Sequence, residues 1–342
     1  MFEDIYIFYV LSKYKLGLMS RNNLFNEVKD YVKSKGPIFI KLLQVFLHNR
    51  YTFGSSFSEE EINTLTQILD KVHHNISESD FEVGCGSVAY VYFCKDDNSK
   101  VIKRAIPNIE TDIINSTKRF NTMLYLASFK YDLNISDESI NKYKELLLSQ
   151  AKLDDEARNI IKMKNIFSKS KTVFIPKVYE YDKDMIKMEY MKGYKLTEFL
   201  LKYPEKKNEC KSLLQHILKK MIENKFIHGD LHEGNFLFNL NSNNKVKINL
   251  LDFGIVFSIT DKQKDIFLDY LLCNKNESLF FYQMSDKQIS FIEFHKHFRK
   301  CKNKHVKYIF EELKKNNVQI DYYFTSFLMG LYNLKLRITK IV

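Results

Sequence analysis

Two short segments in the second half of the chain contain residue types that together can move a phosphoryl group. HGDLHEGN at 228–235 places Asp230 five residues before Asn235, and LLDFG at 250–254 places Asp252 22 residues after Asp230. Phosphoryl transfer requires a carboxylate that orients the attacking hydroxyl or water, and oxygen ligands for the metal ions that neutralise the phosphates. We therefore expect Asp230 to act as the base or orienting residue, and Asn235 and Asp252 to bind Mg²⁺.

The spacing of these residues matches the catalytic and metal-binding loops of protein kinases, H-x-D-x-x-x-x-N followed by D-F-G. Either segment alone occurs by chance in turns, but the two in this order favour a kinase-like site. Between them, FLFNLNSNNKVKINL at 236–250 has the pattern of a β-hairpin. The two arms of such a hairpin would bring both loops to one end, which explains their separation in sequence.

A set of nucleotide-binding residues is predicted upstream. GCGSVAYV at 84–91 reads G-x-G-x-x-A-x-V, in which the glycines would let backbone N–H groups approach phosphate closely. Lys103 lies in a Val-Ile-Lys strand pattern, where a lysine can reach the α and β phosphates. Its expected partner is Glu156 in LDDEARN, with Asp154 and Asp155 as competing acids. The phosphate-binding residues predicted here are Gly84, Gly86, Ser87, Ala89, Val91 and Lys103.

The segment MIKMEYM at 185–191, followed by Gly193, is the expected hinge of the nucleotide site. A hinge offers backbone groups to the edge of the adenine ring, and Glu189 and Met191 are the residues predicted to do so. The alternative interpretation is a plain strand end.

The arrangement of predicted elements indicates how these residues are positioned. Helical patterns fill residues 1–75, short strand patterns occur at 81–106 and 172–191, and the pattern after Gly193 is mainly helical. A small sheet followed by helices is typical of an α+β protein. We predict a two-lobed protein-kinase-like fold with a small β-rich N-lobe, a helical C-lobe and an N-terminal helical extension. The predicted domains are the extension at 1–78, the N-lobe with a helical insertion at 79–190, and the C-lobe at 191–342.

The predicted extension contains one unusually apolar helix. The Gly36-Pro37 pair predicts its start, because proline at the first helical position gives up an N–H that would be unpaired anyway. The following residues, 38–48, are apolar except for Lys41, Gln44 and His48, which share one stripe of the helix. A helix this apolar is mostly buried, so its polar stripe should face water or an internal polar cleft.

With these residues in view, the chain resembles the UbiB-type atypical kinases, also called aarF-domain-containing or ADCK-like kinases, from about Lys35 to Ile259. KGPIFIKLLQ is similar to that family's G-P-x-F-I-K-x-G-Q helix, VIKRAIPNI to its lysine strand, EARN to its E-A-x-N helix and HGDLHEGN to its H-x-D-x-H-x-G-N loop. In the family, the lysine and glutamine of the first helix point into the nucleotide cleft. The resemblance therefore adds Lys41 and Gln44 to the nucleotide site, and it implies ATP and Mg²⁺ as cofactors. It assigns the roles already given to Lys103, Glu156, Asp230, Asn235 and Asp252.

The chain departs from the family pattern at three places. Leu43 occupies the glycine of K-x-G-Q, Gln150 and Lys152 occupy the two acids of the family's E-x-D motif, and Gly84 and Gly86 stand in a loop that the family makes alanine-rich. In the family these elements restrain ordinary protein-kinase activity. Our hypothesis is a nucleotide site that is less restrained than is usual for the family.

The residues after D-F-G bear on the acceptor. GIVFSITDKQKDIFLDYLL at 254–272 passes quickly into a helical pattern, without A-P-E or a long activation segment. We therefore expect a small-molecule or lipid-linked acceptor, or ATP hydrolysis, rather than a peptide substrate. Members of the family support ubiquinone or other isoprenoid-lipid metabolism. The same role is expected here by analogy with the family. The alternatives are a small-molecule kinase like the aminoglycoside or choline phosphotransferases, and a nucleotide-binding scaffold without turnover.

Composition limits the compartment, the cofactors and the partners that this protein can have. Five cysteines without a C-x-x-C pair fit reduced thiols, so we expect no disulfide and no zinc. No run reaches the roughly 20 apolar residues of a membrane span, and the acids Glu3 and Asp4 argue against a signal peptide. We expect an intracellular protein, cytoplasmic or peripherally membrane-associated.

The net charge of +11 is uneven, with 11 basic and 3 acidic residues in 295–340. This suits a solvated face, or attraction to an anionic membrane or to nucleic acid, of which nucleic acid is the less expected partner.

Overall fold

The structure, a computed structural model, describes residues 2–48, 82–95, 97–128, 137–273, 277–285 and 289–300, together with residues 312, 318 and 327. Over these residues the chain divides into two units. Unit 1 holds the residues up to Ala157 and the segment Val178–Tyr190, whereas unit 2 holds Arg158–Lys177 and the residues from Met191 onward. The N-terminal helices and the predicted sheet residues therefore belong to the same unit.

Helices and strands alternate along the chain much as the sequence patterns indicate. The helices are α1 (Phe2–Lys15), α2 (Arg21–Lys35), α3 (Pro37–His48), α4 (Ile109–Ser128), α5 (Asp137–Gln150), α6 (Leu153–Ile166), α7 (Leu196–Lys202), α8 (Lys207–Glu223), α9 (Asp261–Cys273), α10 (Glu277–Gln283) and α11 (Phe291–Arg299). The strands are β1 (Glu82–Cys85), β2 (Ala89–Cys94), β3 (Asp97–Ala105), β4 (Val173–Phe174), β5 (Val178–Tyr181), β6 (Met185–Glu189), β7 (Phe226–His228), β8 (Phe236–Leu240), β9 (Val246–Leu250) and β10 (Val256–Ser258).

Unit 1 is built around an antiparallel sheet with the strand order β1-β2-β3-β6-β5. Successive side chains of a strand point to opposite faces, and in β3 the alternate residues Val101, Lys103 and Ala105 are buried. Lys103 lies opposite Val91 of β2 and Ile186 of β6 in the strand register. Because Ile186 is fully buried, this register puts a lysine on the buried face of the sheet.

The apolar helix α3 packs against α2 and α4 within unit 1. It begins at Pro37, as the Gly36-Pro37 pair predicts, and Gly36 has a φ of +97° that favours glycine. A Cβ atom on Gly36 would lie only 3.2 Å from the Cβ of Ser116 in α4. Phe39 packs edge to face on an aromatic ring of each neighbouring helix, with centroid distances of 6.0 and 5.5 Å. Aromatic packing and the small residue at 36 therefore fix the position of α3.

Unit 2 contains two small sheets, with the strand orders β4-β9-β8 and β10-β7. The hairpin predicted at 236–250 is present, since β8 and β9 pair antiparallel. Gly193 approaches β8 so closely that a Cβ atom would lie 2.8 Å from the Cβ of Leu237. No helix in the described segments is long and apolar enough to cross a membrane. Helices α9, α10 and α11 pack through buried aromatic rings, those of Phe267, Phe280, Phe281, Phe294 and Phe298.

Candidate active site

The predicted lysine and its acid form a buried ion pair in unit 1. Lys103 Nζ lies 2.7 Å from both Oε1 and Oε2 of Glu156. Glu156 sits in the first turn of α6, and its side chain is only 2% exposed, against 11% for Lys103. Of the three neighbouring acids, the structure therefore brings Glu156 to the lysine. A charge-assisted bond to both carboxylate oxygens fixes the direction of the ammonium group.

The glycine loop connects β1 and β2 in the same unit. The N–H of Gly86 donates to the carbonyl oxygen of Ala89 at 2.8 Å, which closes a tight turn around the buried Ser87. A Cβ atom on Gly84 would meet nothing within 4 Å, and one on Gly86 would lie 3.4 Å from the Ala89 oxygen. Neither glycine has a positive φ. The loop backbone therefore does not require glycine at these two positions. The absence of side chains there leaves open space beside the loop.

The predicted hinge follows β6. The N–H of Tyr190 donates to the carbonyl oxygen of Ser99 at 2.8 Å, so this amide is not available to a nucleotide base. Glu189 pairs with Lys100 in the sheet and is half-buried. Met191, half-buried as well, is the first residue of the last segment of unit 2. Adenine contacts at Glu189 and Met191 stay predictions.

The two candidates on α3 differ in what the structure describes. Lys41 is buried, with 8% of its surface exposed. The side chain of Gln44 lies outside the described part of the chain, so its place in a site stays a prediction.

In unit 2, side chains of the HGDLHEGN loop form hydrogen bonds with the backbone of the same loop. Asn235 donates its Nδ2–H to the carbonyl oxygen of Asp230 at 2.9 Å, and it is 6% exposed. Because the amide nitrogen is used in this way, the side-chain oxygen of Asn235 is the atom left to bind a cation. The Asn235 carbonyl also accepts from the N–H of Leu251, the residue before Asp252, at 2.9 Å. Both predicted metal ligands are thus joined through one backbone hydrogen bond.

Asp252 has an unusual backbone conformation. Its φ is +52°, in the left-handed region that aspartate and asparagine tolerate better than most residues. Its Oδ1 accepts from the N–H of Gly254 at 3.1 Å, while the next residue, Phe253, is fully buried. Asn159 of α6 donates its Nδ2–H to the Phe253 carbonyl at 3.0 Å. These contacts hold the D-F-G backbone on both sides of an exposed Asp252 carboxylate.

His228 is the first residue of the HGDLHEGN segment, and the sequence analysis gave it no role. It is fully buried, and its Nδ1 accepts from the N–H of Asp230 at 3.1 Å. The proton of the neutral ring therefore lies on Nε2, which faces the carbonyl oxygen of Leu251 at 3.4 Å. Burial lowers the pKa of His228, although the carboxylates of Asp230 and Asp252 oppose this shift. A neutral His228 thus ties the catalytic loop to the D-F-G segment.

The lowered pKa of His228 predicts a pH-dependent stability. The unfolded chain, with an ordinary histidine pKa, binds more protons than the folded chain, so the free energy of unfolding should fall as the pH drops below about 6.5. His228→Asn keeps an acceptor for the Asp230 N–H but cannot be protonated. Urea unfolding from about pH 7.5 to about pH 5.5 should show a shallower fall for this variant than for the wild type. The exposed His216, changed to Asn, is the control and should retain the wild-type slope.

Two further residues near Asp230, Gly229 and His232, have contacts that the sequence analysis did not predict. A Cβ atom on Gly229 would lie 2.6 Å from Cγ2 of Ile255, so only glycine fits before Asp230. His232 places its Nε2 3.5 Å from Oδ2 of Asp230, and its Nδ1 accepts from the N–H of Gly234 at 3.1 Å. The motif spacing could have pointed to both histidines, whereas the need for glycine at 229 comes from tertiary packing. Within the described residues, no group of three or more His, Cys, Asp or Glu could hold a metal ion.

Comparison with known proteins decides the family. The profile of the ABC1 atypical kinase-like domain matches residues 56–278, which is more than half of the chain. The chain belongs to the ABC1 atypical kinase-like family. This confirms both the kinase-like fold and the resemblance to UbiB-type kinases.

Curated relatives of this ABC1-family chain carry the description probable protein kinase UbiB. The one from Actinobacillus pleuropneumoniae serotype 5b is 24% identical over 262 residues, covering 67% of this chain and 48% of the relative. The one from Shewanella oneidensis is 25% identical over 294 residues, covering 72% and 52%. The chain spans about half the length of the curated relatives it matches.

A solved structure shares the fold. The complex of Rv3197 with erythromycin from Mycobacterium tuberculosis matches with a TM-score of 0.51 at 14% identity. The match covers 97% of this chain and 87% of that one. At this identity the likeness concerns the fold alone.

The departures from the UbiB pattern have visible counterparts in this ABC1-family chain. Gln150, in place of the first acid, is 7% exposed, and its Oε1 has no hydrogen-bond partner among the described residues. Lys152, in place of the second acid, is exposed, and Leu43 is buried. A buried neutral amide and an exposed lysine thus replace two carboxylates, which reverses the charge at this turn.

Proposed function

We propose that this ABC1-family chain binds ATP with Mg²⁺ and acts as an atypical kinase or ATPase. The observation that carries the proposal is the ion pair between Lys103 and Glu156, both buried. Burying two charges costs desolvation energy that an apolar pair would avoid, so such a pair is weak evidence for stability alone. A lysine fixed on the sheet strand beside the glycine loop has a clear purpose if it binds the α and β phosphates of ATP.

The residues of unit 2 supply the remaining chemistry in this proposal. Asn235 and Asp252 would hold Mg²⁺ through side-chain oxygens, and the metal would neutralise charge on the phosphates. Asp230 would orient the hydroxyl or water that attacks the γ-phosphorus. The catalytic loop supports this role, because His228 and Asn235 bind the backbone N–H and carbonyl of Asp230. Lys41, Gln44, Glu189 and Met191 are proposed nucleotide contacts.

A non-peptide acceptor fits the short segment after D-F-G. Between Gly254 and Cys273, all of which the structure describes, β10 ends at Ser258 and α9 begins at Asp261. Peptide kinases place a long activation segment and an A-P-E motif here. The proposed acceptor is therefore a small-molecule or lipid-linked hydroxyl group, or water.

The proposal is tested by phosphate release and phosphoryl transfer from γ-labelled ATP. Purified protein should release or transfer phosphate only with Mg²⁺ present, and chelation of the metal should stop it. Transfer to added choline or aminoglycosides would indicate the small-molecule kinase alternative. ATP binding without release or transfer, with and without lipid vesicles, would instead indicate a nucleotide-binding scaffold.

The open space beside the glycine loop leads to a prediction about alanine substitutions at Gly84 and Gly86. Gly84→Ala/Gly86→Ala should lower ATP turnover and change the relative affinities for ATP and ADP, because two methyl groups would occupy space that the loop leaves open. The backbone accepts both changes without a left-handed φ or a severe clash, so the melting temperature should stay close to that of the wild type. Unchanged turnover and unchanged nucleotide preference would disprove the hypothesis of a less restrained loop.

A further inference from the structure

His232 lies in the same loop as Asp230, and hydrogen bonds within that loop fix its backbone. The N–H of His232 donates to the carbonyl oxygen of Asp230 at 3.0 Å, and the His232 carbonyl accepts from the N–H of Asn235 at 3.0 Å. Leu231, which separates the two residues, is 1% exposed. The buried leucine and the two bonds therefore hold His232 beside Asp230 within unit 2.

The imidazole ring of His232 is fixed as well. Its Nδ1 accepts from the N–H of Gly234 at 3.1 Å. A Cβ atom on Gly234 would lie 2.9 Å from Cε1 and 3.0 Å from Nδ1 of this ring, so a side chain at 234 would displace the ring. Gly234 has no positive φ. Its backbone therefore does not require glycine, whereas the place of the His232 ring does.

The bond at Nδ1 determines which ring nitrogen carries the proton. A neutral imidazole has one donor and one acceptor nitrogen, so acceptance at Nδ1 leaves the proton on Nε2. That Nε2 lies 3.5 Å from Oδ2 of Asp230, and the two side chains are each 21% exposed. Contacts of this length in catalytic sites often shorten when substrate binds. The N–H of the His232 ring therefore faces the Asp230 carboxylate.

We infer that His232 is a positioning residue for Asp230, which it serves by holding the carboxylate towards the acceptor. The inference rests on the proposed function. In that reaction the acceptor oxygen bonds to the γ-phosphorus, and the bond to the bridging oxygen breaks and leaves its electron pair on ADP. The proton of the acceptor hydroxyl or water passes to the Asp230 carboxylate. A misplacement of about 1 Å in such a site can cost about a hundredfold in rate.

The two histidines of the HGDLHEGN segment thus act on different parts of Asp230. His228 accepts the backbone N–H of Asp230, whereas His232 faces its side chain. A purely structural role for His232 would depend on the bond between Nδ1 and Gly234, and a positioning role depends on Nε2. Substitutions that keep one of these two nitrogens' functions can therefore separate the two roles.

The first measurement needs neither ATP nor turnover. Long-range ¹H–¹⁵N spectra of protein labelled with ¹⁵N-histidine are recorded at about pH 8, where an ordinary histidine is neutral. The His232 signal, identified by its absence in His232→Asn, should show the Nε2–H tautomer. Asp230→Asn should shift its Nε2 resonance and leave the exposed His216 unchanged. An Nδ1–H tautomer, or an Nε2 resonance that ignores Asp230→Asn, would overturn the inference.

The second measurement is steady-state ATP turnover by two variants of His232. Asparagine places an acceptor near the position of Nδ1 but has no donor that reaches Asp230, so His232→Asn should lower kcat about ten- to a hundredfold. Its KM for ATP and its melting temperature should stay close to those of the wild type. Glutamine places an amide N–H near the position of Nε2, so His232→Gln should retain most of kcat. It should melt slightly lower, because the N–H of Gly234 loses its acceptor.

Two further variants complete the test. His216→Asn makes the same substitution at an exposed site and should turn over like the wild type. Gly234→Ala displaces the ring without removing it and should lower kcat in the same direction as His232→Asn. Wild-type kcat in His232→Asn, or an equal loss in His232→Asn and His232→Gln, would overturn the positioning role. Absence of turnover in the wild type would overturn the proposed function and this catalytic role together, and the tautomer would still decide whether His232 faces Asp230.

Discussion

Asp252→Asn is expected to reduce Mg²⁺-dependent phosphate release from ATP by about a thousandfold, because a metal ligand loses its negative charge while keeping its shape. Asparagine tolerates the left-handed backbone of this position about as well as aspartate. Its amide oxygen can still accept the N–H of Gly254 that Asp252 Oδ1 accepts in the wild type. The loss should therefore come from metal binding and not from a misfolded loop.

The matched control for this change is Asp265→Asn on α9. The Asp265 side chain is 77% exposed and lies 4.0 Å from Lys264 Nζ at the surface. This variant loses the same charge, so its turnover should equal that of the wild type. Titration with Mg²⁺ should show a raised midpoint for Asp252→Asn alone. Wild-type turnover and an unchanged Mg²⁺ midpoint in Asp252→Asn would remove Asp252 from the proposed site.

The sequence predicted the parts of the fold and site that depend on local patterns. A hairpin needs two alternating segments and a turn, and the pattern at 236–250 is sufficient to predict β8 and β9. The Gly36-Pro37 pair predicts the start of α3 because both residues act through their own backbones. The sequence favoured Glu156 over Asp154 and Asp155 as the partner of Lys103, and Glu156 is the acid that lies beside it.

Local sequence patterns could not predict the features of the site that depend on tertiary contacts. Asp252 has a left-handed φ, and the residues on either side of it, Leu251 and Phe253, are hydrogen-bonded to Asn235, His228 and Asn159. Gly229 is required only because Ile255 lies against it. Contacts between residues tens of positions apart depend on packing, and no local periodicity encodes them.

The exposure of α1 shows a different limit of sequence analysis. A helix whose sequence is rich in Ile, Phe, Tyr and Val is expected to be buried. Hydrophobicity alone does not tell which apolar side chains of a helix pack on its neighbours and which stay exposed. Only the structure separates the side of α1 that packs on α2 and α4, with Val10 buried, from the side on which Tyr6 and Tyr9 are exposed.

Glu156→Gln is the second change with a large expected effect. It removes the carboxylate that lies 2.7 Å from the ammonium group of Lys103, in a site where both side chains are nearly excluded from water. Breaking a buried pair costs about 3–5 kcal/mol of unfolding free energy. The exposed pair between Lys219 and Glu223, 3.9 Å apart, is the control. Glu223→Gln should change the free energy by about 0–1 kcal/mol in the same urea titration.

A double variant separates the structural from the chemical role of this pair. Lys103→Met/Glu156→Leu replaces both charges by apolar side chains, which should recover most of the stability that Glu156→Gln loses, because no buried charge is left without its partner. ATP turnover should stay as low as in the single variant, since no cation is left at 103 to bind the α and β phosphates. If turnover returned together with stability, Lys103 would have no part in ATP chemistry, and the ion pair would only support the fold.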